Sequence, residues 1–175
     1  WRGMSVLMIQ LNRFASAPLA STINKEWAAG IENDEVRQTL LHLVANGKLR
    51  GCADLVEQVA FDTTRSDVER MIALRAMDVL DHPQLAAAVA SIAEDPSKWS
   101  SDLSLRAVSL LFPHRMSVDV LCAVVARMPR SERLVTDLQW RVTRLVAESP
   151  MSLGEMERLR DGLMGLILTG LRWED

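Results

Sequence analysis

Arginine is the residue whose placement most invites a chemical reading. Between Arg106 and Arg144 stand seven Arg against three acids, Asp119, Glu132 and Asp137. Arg141 and Arg144 fall on one helix face, while Arg127, Arg130 and Arg133 crowd a turn. Guanidinium groups bind oxyanions in bidentate fashion, so phosphate suits such a cluster. These five arginines are the candidate interaction surface, and Trp99, in the turn Pro96-Ser97-Lys98-Trp99-Ser100, is the sixth member. The same types have a structural use. Arg stems cover apolar surface while their heads bond carbonyls or acids, and a Trp in a turn can cover a neighbouring helix end.

Other residues with chemical potential are not assembled by their spacing. His42, His82 and His114 stand far apart, and no His-Glu-x-x-His pairs two of them for zinc. Cys52 and Cys122 form no Cys-x-x-Cys and read as two buried thiols. Gly165 and Gly170 imitate the glycine spacing of a phosphate loop, but Leu171-Arg172 follows where Lys-Ser/Thr is needed. With Gly162, they read instead as places where another helix comes close or where the last helix weakens. Glu32, Asp34 and Glu35 precede a helix, where negative charge favours the N-terminus. Asp137 and Trp140 are the one local pair that a base-excising enzyme would offer, and Asp-x-x-Trp is common by chance. The expectation is no catalytic, cofactor or metal site.

What must position these residues is helical. The 175 residues are 49% apolar and 25% charged, with no Tyr and 5% aromatics, a palette of helix formers. A formal charge of −3 makes no global demand for nucleic acid or an anionic membrane. No run approaches the ~18 apolar residues of a membrane-spanning helix, and the two lone thiols suit a reducing compartment, so the expectation is a cytoplasmic protein. The opening WRGMSVLMIQLNRFASAPLA superficially imitates a secretory signal. Its short apolar core, broken by Ser5 and Gln10 and preceded by Trp1, reads better as a domain boundary within a longer chain.

One pattern recurs. Leu74-Arg75-Ala76, Leu105-Arg106-Ala107 and Trp140-Arg141-Val142 match, each followed by an apolar pair (Val79-Leu80, Leu110-Leu111, Leu145-Val146) and then by Pro83, Pro113 or Pro150. Leu41-His42-Leu43-Val44 is a weaker member, which gives intervals of 33, 31 and 35 residues. A period in the low thirties marks a helical repeat array. The expected helix pairs are 34–49 with 52–61, 67–80 with 83–94, 102–112 with 117–128, and 131–148 with 152–169. They fall in units 32–62, 63–95, 101–129 and 131–171 of a single domain. Before them, in 1–31, come helices 5–15 and 21–29, divided by Pro18. Ser152-x-x-Glu155 has the form of a capping box. Leu55, Val56, Val59 and Ala60 correspond to Ala88, Val89, Ile92 and Ala93. These second helices must face both their own partner and the next unit.

The absence of Tyr sets the pattern apart from tetratricopeptide repeats, and His82-Pro83-Gln84-Leu85 is not the ankyrin turn. The apolar Leu/Val/Ala helices, the Arg in each first helix and the Pro near each turn resemble short HEAT-like repeats over residues 33–168. That resemblance implies a right-handed α-solenoid of about four stacked antiparallel helix pairs with one or two extra N-terminal helices. It also implies a non-enzymatic scaffold for a protein partner or for another domain of the same chain. HEAT-like stretches accompany NTPase domains in large bacterial proteins, and the Lys-poor, Arg-rich usage fits a GC-rich bacterial source. The alternative is a nucleic-acid-binding helical stack using the surface between Arg106 and Arg144. At the register shared by Arg75, Arg106 and Arg141, a ladder between repeats is the favoured role.

Overall fold

A computed structural model describes residues 16–127, 143–144, 147 and 151–170, which are helices and the turns between them, with no strand among them. The chain divides into two compact units, Trp1–Ala88 and Val89–Asp175.

In the first unit, α1 spans Ala17–Ala29, α2 Asp34–Gly47, α3 Ala53–Phe61 and α4 Asp67–Val79, with a one-turn 3-10 helix at Arg50–Cys52. Pro18, expected to divide two helices, falls at the start of the second of them. It occupies the first turn of α1, where a missing N–H costs no hydrogen bond. The helix expected at 5–15 lies outside the described residues. α1 lies against the 3-10 turn, with Ala20 and Ile23 buried. The Asn24 side-chain amide donates to the Gly51 carbonyl (2.8 Å), and the Cys52 thiol reaches the Ala20 carbonyl (3.6 Å). A Cβ on Gly51 would come within 3.0 Å of the Ala20 Cβ, so glycine permits this approach.

Asn33 caps α2 by accepting from the Glu35 and Val36 amides (2.8 and 3.1 Å). The left-handed residue that ends α2 is Lys48 (φ 50°), directly after Asn46-Gly47. α4 is packed against both α2 and α3. Serving two neighbours explains why Ile72, Ala73, Leu74, Ala76 and Met77 are all buried, more of the helix circumference than one partner would cover. Leu55, Val56, Val59 and Ala60 of α3 are buried too.

α5, Leu85–Glu94, carries the division between the units. Its four matched positions, Ala88, Val89, Ile92 and Ala93, are buried as their α3 counterparts are. Pro83 stands two residues ahead of α5. His82 closes that end: its carbonyl accepts from the Leu85 amide (3.0 Å) and its Nδ1 from the Gln84 amide (3.2 Å). His82 is buried, with its Nε2 3.5 Å from Glu57 Oε2.

The second unit continues with α6 at Ser101–Leu111, α7 at Val118–Arg127 and α8 at Leu153–Gly170. α6 packs on α7, and α7 on α8. Ser100 caps α6 through the Leu103 amide (3.1 Å). The Ser152/Glu155 box opens α8: the Ser152 amide and hydroxyl donate to Glu155 Oε2 (2.8 and 2.6 Å), and the Glu155 amide donates back to Ser152 Oγ (3.3 Å).

Gly162 is where α8 meets α7. A Cβ there would stand 2.5 Å from Cys122 Sγ, whereas one on Gly165 would meet nothing within 4 Å. The close-approach role therefore belongs to Gly162 and not to Gly165. Gly162→Ala is expected to lower stability by about 1 kcal/mol, because overpacking outweighs the gain in helix propensity. Gly165→Ala should instead raise it by up to about 1 kcal/mol. Denaturant unfolding of the two variants reads this difference in sign, and Cys122→Ala, which removes the obstructing sulfur, should restore Gly162→Ala.

Candidate functional site

Of the six nominated residues, three lie among the described ones. Arg127 ends α7 and is exposed, and Arg144 is exposed. Arg130, Arg133 and Arg141 fall outside the described residues, as do Asp137 and Trp140. Trp99 is only 1% exposed, which corrects its nomination as a contact residue. Its Nε1 donates to Ser91 Oγ at the end of α5 (2.9 Å), and Ser104 Oγ bonds its carbonyl (3.5 Å).

The turn before Trp99 explains that burial. Asp95 Oδ1 accepts from the Ser97 amide and hydroxyl (3.2 and 2.5 Å), and Asp95 Oδ2 pairs with Lys98 Nζ (2.8 Å). These bonds, from Lys98 first and then Ser97, hold the Asp95 carboxyl down at about 2. An ordered turn aims the indole back at α5 and does not present it to solvent. Trp99 and Arg127 do meet, as two walls of a cleft of about 20 Å³ shared with Ile92, Pro96, Ser104 and Val124. That space suits one water and no larger guest.

Two of the register-equivalent arginines, Arg75 and Arg106, face outward. Leu74 and Ala76 are buried while Arg75 between them is exposed, and Leu105, Arg106 and Ala107 repeat the arrangement. Arg75 Nη2 reaches Asn46 Oδ1 on α2 (3.4 Å), a contact from one first helix to the preceding one. Arg106 instead pairs with Asp102 of its own helix (2.9 Å). Arg75 thus makes one contact of the kind a ladder would use, Arg106 is paired within its own helix, and Arg141 lies outside the described residues. His42, at the same register on α2, is half-buried. Its pKa is lowered by burial and then by the charge of Arg75, so equivalent positions on α2 and α4 sense each other.

A buried cluster that spacing did not reveal joins α2 to α4. Arg37 Nε donates to Glu69 Oε1 (2.5 Å). Its Nη1 donates to the carbonyls of Ile31 and Glu32, and its Nη2 to Asp34 Oδ1. Glu69 Oε2 accepts from the Ser66 amide (3.2 Å) and hydroxyl (2.9 Å), completing a capping box. Burial pushes the Glu69 carboxyl up, but the bonds from Arg37 and Ser66 outweigh it and hold its pKa below the ordinary value. One residue on, Arg70 Nε donates to the Ala60 carbonyl in the last turn of α3 (3.1 Å), a carbonyl the helix leaves open. These groups hold helices of the first unit together.

Burial pushes the Cys52 thiol up to about 11, and burial followed by Asp119 raises that of Cys122, so neither is an activated nucleophile. Cys52 is fully buried and Cys122 partly, a small departure from the two buried thiols expected. Asp34 of the acidic trio is engaged with Arg37, in keeping with a structural role. Among the described residues no three His, Cys, Asp or Glu side chains gather to hold a metal ion. No helix of the described residues is long and apolar enough to cross a membrane. No protein-family model, curated protein or solved structure matches the chain.

Proposed function

We propose that the chain is a non-enzymatic scaffold, a HEAT-like α-solenoid whose helix pairs offer surface to a protein partner or to another domain. The observation that carries this reading is the direct packing of α2 on α4, the first helices of successive pairs. It brings His42 and Arg75, equivalent in the repeat, within electrostatic reach and joins the pairs through Arg37 and Glu69. Pairs related in this way add by repetition, and arrays of that kind make extended surfaces for binding.

The nucleic-acid reading is favoured by one observation, the exposure of Arg127 and Arg144. The formal charge of −3 weighs against it. Chromatography on immobilised heparin decides between them. The scaffold reading expects flow-through at about 0.15 M salt. Retention that falls steeply with salt and is lost in Arg127→Ala/Arg144→Ala would replace the scaffold reading with the nucleic-acid one.

A further inference from the structure

α8 carries more apolar surface than its contact with α7 uses. Leu159 is buried and Gly162 abuts Cys122, which fixes the side turned to α7. Leu153, Met156, Met164, Ile167 and Leu168 are 40–70% exposed. At ~100° per residue these five fall within an arc of about 120°, roughly opposite Gly162. Such a stripe on a soluble helix marks an interaction surface.

The order of residues along the stripe says what it fits. Leu153 and Met156 stand at one end and Met164, Ile167 and Leu168 at the other, with Glu157, Arg160 and Asp161 between them. Reversed about the point between Arg160 and Asp161, this order meets itself. Leu153 comes opposite Leu168, Met156 comes beside Met164, and Arg160 comes opposite Asp161. In the single chain Arg160 Nη2 pairs with its neighbour Asp161 (2.7 Å), and both side chains are well exposed, free to exchange that partner for one across a two-fold axis. A two-fold interface requires one patch to be complementary to itself, and here the apolar ends and the Arg160 and Asp161 charges satisfy the requirement, while Glu157 falls opposite Met164.

We infer that α8 is a self-association surface, which pairs antiparallel with α8 of a second copy of this chain through Leu153, Met156, Met164, Ile167 and Leu168 and through crossed Arg160–Asp161 ion pairs. The inference deepens the scaffold reading by naming a partner, and rests on it.

Sedimentation velocity of the whole chain, from about 1 to about 100 µM, tests it. The expected result is a concentration-dependent species of twice the 19.5 kDa mass. Ile167→Glu/Leu168→Glu should weaken association at least about tenfold while leaving the circular dichroism spectrum unchanged, since both side chains are exposed. Arg160→Glu should weaken it, and Arg160→Glu/Asp161→Arg should restore it, because reversal of both charges preserves a two-fold pairing. Three results would each overturn the inference: a monomer throughout the range, association indifferent to Ile167→Glu/Leu168→Glu, or no recovery in the double reversal. A monomer that still flows through heparin would remove the second copy as partner and leave the scaffold reading standing.

Discussion

Glu69→Ala is expected to destabilise the first unit by about 3 kcal/mol, among the largest effects any single substitution of this chain should show. Two losses add. The Ser66 amide at the start of α4 loses its capping acceptor, and Arg37, 14% exposed, loses its most buried partner. Arg37 keeps Asp34 and the Ile31 and Glu32 carbonyls, which holds the cost near the lower end for a broken buried pair. Urea unfolding measures it. Glu69→Gln tests the charge separately. The folded carboxyl titrates below its ordinary value of 4.5, so its stabilisation is complete above that pH and is lost as pH falls through the depressed folded value. Asp62, Asp95, Glu155 and Asp161 are depressed as well, so acid still destabilises the variant. The acid limb of its stability curve should be flatter than that of the parent below about pH 4.5. Identical limbs would mean that Glu69 carries no such linkage.

The helices were legible because the cues that start and turn them are local. Asn33, Ser100 and the Ser152/Glu155 box lie beside the amides they cap. The helical period of the apolar positions made the first helices legible, although the outward side taken by Arg75 between the buried Leu74 and Ala76 was not read from it. Where several local outcomes are permitted, sequence chose less well. Pro18 is compatible with a break or with a first turn, and the turn after α2 finds its left-handed residue at Lys48 despite the neighbouring glycine.

The Arg37–Glu69 cluster was out of reach for a different reason. Its partners are 32 residues apart, and each is ordinary for an exposed helix face. Two signals did point to it: Ser66-x-x-Glu69 has the same capping-box form as Ser152-x-x-Glu155, and Arg37 and Arg70 are separated by the repeat interval of 33. The outward Arg register drew attention first because it is the more regular pattern. Yet regularity there reflects which positions solvent can reach, and the charge that joins α2 to α4 sits elsewhere on the same helices.

Trp99→Ala is expected to cost about 3–5 kcal/mol of folding stability, the range for truncating a fully buried aromatic. A tryptophan that served as a docking residue would behave oppositely, with its loss felt in binding and hardly at all in folding. The structure favours the first outcome on two counts. Almost no indole surface remains to offer a partner, and Nε1 is already engaged with Ser91 on the helix that the ring covers. Trp99→Phe retains most of the ring but not the donor, so it should lose about 1 kcal/mol for the hydrogen bond together with a smaller packing deficit. The ordering alanine, then phenylalanine, then the parent chain, read as denaturation midpoints, is the signature of an anchor inside the fold. Equal midpoints for all three would return Trp99 to the surface that the sequence first suggested. Intermediate cost also depends on the turn: Asp95 and Ser100 set the geometry that delivers the indole to α5, so Asp95→Ala should shift the midpoint in the same direction as Trp99→Phe without touching the ring.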